Sequence, residues 1–176
     1  DETYFGKYAS AYLTGDYYFD PHPPLGKLLI SATGYIAGYR EDNTDYTKIG
    51  SEYNSDIYLF YRLLPTVAGT LLPLIIFLLV FELGVSSFGA FIAGLLIIFE
   101  NSLIVQARFV SLDSILYLFG FLSVWLYLLY RNRAKNKKLY LAMSFIFATL
   151  AFCIKWTGLS FIGLIFLVEF YELLKN

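Results

Sequence analysis

Apolar positions follow two regimes along this chain. Up to about residue 56 they are interleaved with polar ones. Phe5, Tyr8, Ala9, Tyr12 and Leu13 recur at helical spacing, which predicts an amphipathic helix that ends at Gly15. Pro21, Pro23 and Pro24 then remove backbone donors and fix φ, predicting a stiff extended corner. A second amphipathic helix is expected beyond it, with Leu25, Leu28, Leu29, Ala32, Ile36 and Tyr39 on its apolar face. Pro23 and Pro24 suit its first turn. Two such helices joined by a stiff corner read as a loop lying on a membrane. From Tyr39 to Ser55 the chain is rich in Asp, Glu, Asn and Tyr and is expected to be solvated.

From residue 57 the apolar runs become long enough to cross a bilayer, which takes roughly 20 residues. Five spans are predicted, at about 57–81, 88–105, 114–130, 139–154 and 157–174. The first contains Pro65 and Pro73, which should kink it. The fold class expected is all-α: a polytopic membrane domain over residues 57–176, preceded by a 1–56 loop that carries two amphipathic helices.

Composition agrees with the pattern. Of 176 residues, 58% are hydrophobic and 20% aromatic, and mean hydropathy is +0.60, more apolar than soluble domains of this length. The net charge of −1 argues against general nucleic-acid binding. The one cysteine, Cys153, lies in an apolar run, so no intrachain disulfide forms, and it reads as a small buried hydrophobe.

Charge also orients the spans. Residues 131–138 carry five Lys or Arg residues in a short link, and such links stay cytoplasmic. Counting from there puts the 1–56 loop, the 100–113 junction and Lys155-Trp156 outside. Asp1, Glu2, His22, Lys27, Arg62, Glu100, Arg108, Asp113 and Lys155 therefore gather toward one membrane face. Charges at the edges of spans are costly and usually face a site or pathway.

Several runs carry a resemblance: Asp1-Glu-x-x-Phe-Gly-Lys7, Phe19-Asp-Pro-His-Pro-Pro-Leu-Gly-Lys27, Gly34-Tyr-x-Ala-Gly38, Lys48-Ile-Gly50, Arg62-Leu-Leu-Pro65, Glu100-Asn101, Arg108-Phe-Val-Ser-Leu-Asp-Ser114 and Lys155-Trp-x-Gly158. Together they resemble the protein O-mannosyltransferase family, membrane glycosyltransferases of the GT-C type. The first 56 residues are similar to that family's first extracytoplasmic loop. The resemblance implies transfer of mannose from a polyprenyl (dolichyl) phosphate carrier to Ser or Thr hydroxyls of proteins. It implies residence in the endoplasmic reticulum membrane of a eukaryote or the plasma membrane of a prokaryote. Family members are larger, so the chain is expected to be a fragment. A divalent cation (Mg or Mn) and a dimer are left open.

The chemistry follows from such a donor. Its lipid tail lies in the bilayer, so its phosphate arrives at the interface. There cations must meet the phosphate and hold the charge that grows as it departs. A phosphate ester leaves readily, but the acceptor hydroxyl is a poor nucleophile and needs a base, which one carboxylate supplies. One base and several cations match a single-displacement, inverting transfer. A retaining enzyme would want a second carboxylate at the same carbon, and neighbouring helical side chains such as Asp1 and Glu2 diverge by about 100°.

The resemblance implies that Asp1 is the base. Glu2 orients the loop or binds acceptor or cation, and Arg62, Lys155, His22 and Arg108 are candidates for the donor phosphate. Asp113, Lys27 and Glu100 are expected to support the loop or site. Each has a plainer alternative. Asp1 and Glu2 also serve a helix dipole, and Lys27 or Arg62 could snorkel to headgroups. Arg108 and Asp113 could pair with each other, Lys155-Trp156 could be an interfacial anchor, and His22 could be a structural hydrogen-bonder. Three other readings of the whole chain remain: a glycosyltransferase with another polyprenyl-phosphate sugar, a non-catalytic subunit, and a transporter. The transporter would place charges at the midplane on broken helices in two matching halves.

The orientation is testable by cysteine labelling. A cysteine at Asn136 should be protected from an impermeant thiol reagent added outside, and one at Asn43 should react. The reverse pattern would overturn the shared-face argument.

Overall fold

The computed structural model describes residues 2–39, 46, 49–50, 52–53, 55–133 and 135–175. Among these residues every regular element is helical. Helix α1 (Glu2–Thr14) ends where Gly15 adopts φ +80°, a conformation that glycine takes at no steric cost. The proline corner leads into α2 (Leu25–Ile36), with Pro24 as its N-cap. Bonds from Tyr39 N–H to the Gly34 carbonyl and from Gly38 N–H to the Tyr35 carbonyl, each 3.0 Å, close its C-terminus.

Four helices among the described residues are long and apolar enough to cross a membrane: α3 (Ile57–Glu82), α6 (Asp113–Asn132), α7 (Lys137–Ile154) and α8 (Leu159–Lys175, with the 3-10 turn Trp156–Gly158 before it). Their lengths and hydropathy make the chain an integral membrane protein. The span expected at 88–105 is broken. Helix α4 (Ser87–Phe99) and α5 (Asn101–Arg108) meet at 58°, because the Glu100 side chain turns back to cap the Leu103 N–H at 2.7 Å. Helix α3 continues through Pro65 and Pro73.

Helices α6 and α7 pack through small residues. Ser144 Oγ donates to the Ser123 carbonyl at 2.9 Å, and Ala148 and Ala151 are fully buried nearby. Small side chains let helix backbones approach closely where no water drives association. Helix α8 buries Ile165 but leaves Phe166, Leu167, Phe170 and Tyr171 exposed.

The main core lies where the N-terminal helices meet the membrane helices. Phe5, Ala9, Ile30, Ile57, Tyr61, Val110, Leu112, Ile115 and Ile154 form one cluster there. The face of α2 matches expectation in part, with Leu25, Leu29 and Tyr39 half-buried against the core. Its buried residues are Gly26, Lys27, Ile30, Ser31 and Gly34, while Leu28 and Ile36 are exposed. The reason is close approach. Gly34 lies against the buried Tyr61 ring, Gly26 against Leu112 and Ile154. Ser31 Oγ sits 2.9 Å from the Ala9 carbonyl of α1 and 2.7 Å from the Lys27 carbonyl. Larger side chains on that face would hold the helices apart.

A β-carbon at Gly34 would overlap Tyr61, a fully buried ring stacked on Tyr39 and Tyr46. In the full-length protein Gly34→Ala should cost about 1–3 kcal/mol through overpacking, seen as a lowered Tm in detergent. Gly163→Ala meets open space and should leave Tm unchanged or slightly raised by helix propensity.

Candidate active site at the membrane edge

The first turn of α1 is fixed by its acid. Glu2 Oε1 accepts from Arg62 Nε at 2.6 Å and Glu2 Oε2 from Arg62 Nη2 at 2.9 Å. Glu2 Oε1 also accepts from the Val110 N–H at 3.2 Å. One carboxylate thus joins α1, α3 and the segment after α5 by charge-assisted bonds. The guanidinium is enclosed by aromatic faces: Tyr53, Tyr58 and Phe109 lie 5.3, 5.0 and 5.7 Å from it. Its Nη2 also donates to the Tyr53 hydroxyl at 3.0 Å. These bonds engage Nε and Nη2 and, among the described residues, leave the Nη1 donors available.

Asp113, the first residue of α6, accepts from Lys155 Nζ at 2.8 Å. Ser111 Oγ lies 3.2 Å from its Oδ2. The pairing of Asp113 with Arg108 raised by the sequence is not the one formed. Lys155 enters from the α7–α8 junction, because its backbone turns extended at φ −151° and ψ 144°. Arg108 is exposed and has no polar partner among the described residues.

Lys27 does not snorkel. It is 2% exposed, pairs with Asp20, and donates to the His22 carbonyl at 2.9 Å. Tyr8 and Tyr18 flank its ammonium, each 5.8 Å away. A charge this deeply buried needs such a partner. Trp156 Nε1 donates to the Pro21 carbonyl at 2.6 Å, so the corner is tied both to its own helix and to the α7–α8 junction. His22 Nδ1 is buried without a partner among the described residues, and its ring lies 6.2 Å from Phe5.

A cavity of ≈ 640 Å³ opens between these elements, with Glu2, Tyr46, Arg62, Gln106, Phe109 and Asp113 in its wall. Of the sequence candidates, Glu2, Arg62 and Asp113 line it, and Lys155 reaches it through Asp113. Glu100 and Arg108 lie on the broken helix outside it, Arg108 lining a second, apolar groove of ≈ 540 Å³ between α3 and α4–α5. His22 and Lys27 belong to the corner. Asp1 lies outside the described residues. Among the described residues no three His, Cys, Asp or Glu side chains converge. Burial first, and then the Glu2 carboxylate, push the Tyr46 and Tyr53 phenols above their usual range. Both therefore remain protonated donors rather than bases at physiological pH.

Sequence reasoning missed Tyr46, Tyr53 and Gln106. Gln106 stands two positions before the Arg108-Phe-Val-Ser-Leu-Asp-Ser run, but nothing in its spacing marked it. The Tyr53 and Tyr58 rings stack at 4.2 Å, a proximity that sequence separation does not reveal.

Comparison with known proteins identifies the family. Protein O-mannosyltransferase 1 of Drosophila melanogaster is 40% identical over 119 residues, covering 67% of this chain and 13% of the relative. Protein O-mannosyl-transferase 1 of Homo sapiens is 37% identical over 138 residues, 77% of this chain and 18% of the relative. The chain therefore spans under a fifth of the length of these relatives. The solved S. cerevisiae protein O-mannosyltransferase Pmt1-Pmt2 complex bound to the sugar donor superposes with a TM-score of 0.90 at 27% identity, covering 98% of this chain and 24% of that one. The family model described as dolichyl-phosphate-mannose-protein mannosyltransferase matches residues 1–176, and the chain belongs to that family.

Proposed function

We propose that the full-length protein transfers mannose, with inversion, from a polyprenyl (dolichyl) phosphate carrier to Ser or Thr hydroxyls of polypeptides at the extracytoplasmic membrane face. That face would be lumenal in an endoplasmic reticulum membrane and external in a prokaryotic plasma membrane. The observation that carries the reading is the Glu2–Arg62 bond at the cavity wall. Asp1 is one peptide bond from Glu2, and consecutive Cα atoms are about 3.8 Å apart. A pinned Glu2 therefore fixes the start of α1 at the cavity wall.

The reaction needs one base. Asp1 takes the proton of the acceptor hydroxyl as its oxygen attacks the anomeric carbon. The bond from that carbon to the phosphate oxygen breaks, and its electron pair leaves with the phosphate. Among the described residues Arg62 retains its Nη1 donors, Lys155 has donors beyond the one given to Asp113, and Arg108 is uncommitted. Together they offer charge-assisted bonds to the departing phosphate. The similar S. cerevisiae protein was solved as a Pmt1-Pmt2 complex, which supports a two-subunit assembly for the full-length protein. A transporter reading fits less well, because the charges sit at one edge rather than at the midplane.

Two measurements on purified full-length protein test this. Asp1→Asn keeps shape but cannot take a proton, so kcat should fall about 100-fold or more while donor binding stays near normal. Glu2→Gln should affect acceptor affinity or loop order more than the chemical step. Normal turnover in Asp1→Asn would remove Asp1 from the mechanism.

The second concerns the phosphate. Arg62→Ala and Lys155→Ala should each raise the donor requirement, since a charge-assisted contact is worth about 1.5–3 kcal/mol, or roughly 10- to 150-fold. Unchanged donor kinetics in both would assign these cations to anchoring Glu2 and Asp113.

A further inference from the structure

The side-chain amide of Gln106, in the cavity wall, is left unused by the fold among the described residues. Its Oε1 is buried and unpaired, and its amide makes no hydrogen bond among those residues. The Tyr46 hydroxyl in the same wall is also buried without a partner there. Buried polar atoms are nearly always paired, and each exception asks for an explanation. Looseness of α5 does not explain this one. Thr66 Oγ1 donates to the Ala107 carbonyl at 2.9 Å, and Gly69 of α3 packs against Ala107. The residue next to Gln106 is thus fastened to a long membrane helix, which preorganises the amide.

The rest of the wall identifies the kind of ligand. Glu2 and Asp113 turn carboxylates toward the cavity, and their partner cations Arg62 and Lys155 are partly spent on them. The donors that Arg62 and Lys155 have left suit the carrier's phosphate, whereas a neutral, hydroxyl-rich group can donate to the carboxylates and to the amide oxygen. Phe109, Tyr46 and Tyr53 add flat apolar faces. The volume of ≈ 640 Å³ falls in the usual range of small-molecule sites, about 300–1,000 Å³. A side-chain amide presents one acceptor and one donor side by side, which complements two adjacent hydroxyls of a sugar ring.

We propose that Gln106 is a specificity-determining residue that reads adjacent hydroxyls of the donor hexose, with the Tyr46 hydroxyl as a second contact, and so selects the sugar transferred. This rests on the transfer reaction proposed above. A hexose epimeric at one of those carbons directs its hydroxyl elsewhere and leaves the amide buried and unpaired. Sites built around a buried hydrogen bond reject such analogues strongly.

The test uses full-length protein, an acceptor peptide, and polyprenyl-phosphate donors carrying mannose or its C2 epimer glucose. The wild type should prefer mannose. Gln106→Leu, similar in size without the amide, should lower kcat/KM for the mannosyl donor and narrow the mannose-to-glucose ratio by about 10-fold or more, given what one lost hydroxyl contact is worth. Affinity for sugar-free polyprenyl phosphate should be unchanged, which also reports correct folding. If Gln106→Leu loses that affinity, Gln106→Glu, which keeps an acceptor but no donor, should narrow the ratio instead. An unchanged ratio with normal polyprenyl phosphate binding would overturn the proposal. So would a raised KM for the peptide alone, which would place Gln106 against the acceptor backbone. A wild-type protein that transfers neither sugar would instead defeat the reaction itself, a result separable from any effect of the variants.

Discussion

The bidentate bond between Glu2 and Arg62 is the constraint on which the site depends. It joins residues 60 positions apart in sequence and closes a loop whose entropic cost grows only slowly with length. Arg62 is one of the more costly groups to leave unpaired near a bilayer, and Glu2 satisfies it with matched geometry while Tyr53, Tyr58 and Phe109 cover its faces. The same carboxylate takes the Val110 N–H. The segment carrying Ser111 and Asp113 is thereby held opposite the start of α1. Had Arg62 reached the headgroups instead, the first turn of α1 would lose its charged link to α3.

A second device, built on the same economy of charge, holds the proline corner. Lys27 is buried with Asp20 and the His22 carbonyl, and Trp156 grips Pro21 from the α7–α8 junction. The corner therefore has little freedom relative to Lys155, the neighbour of Trp156. Proline rigidity alone would fix the local φ values but not the direction in which the corner points. The ion pair and the indole bond supply that direction, which keeps the N-terminal helices and the Asp113–Lys155 pair in one frame.

Much of the helical architecture was legible, because long apolar runs are decided by composition and need no partner to be recognised. The face of α2 was so only in part. Its sequence offers apolar residues on more than one side, and the large ones, Leu28 and Ile36, attracted the assignment. Packing chose Gly26, Ser31 and Gly34, because close approach of backbones outweighs the size of the side chains brought inward. The break at Glu100 was hidden in an apolar stretch, although an acid followed by Asn and Ser is compatible with a new helix start. The charged candidates were readable as a group gathered toward one face, but their pairing was not. Asp113 chose Lys155 from 42 residues away over the nearer Arg108. Gln106 carried no signal, since an unpaired amide becomes conspicuous only once its surroundings are dry.

The break between α4 and α5 bears on the lipid as well as on the protein. A 13-residue helix such as α4 is about 20 Å long, whereas the hydrocarbon layer is about 30 Å thick. In a bilayer, α4 cannot cross that layer alone, and α5 leaves its axis at 58°. A helix shorter than the layer is met by local thinning of the bilayer or by snorkelling of flanking residues, which would draw headgroups and water toward Glu100. For the transfer proposed above, such thinning would shorten the path between a hydroxyl in water and a sugar carried on a lipid.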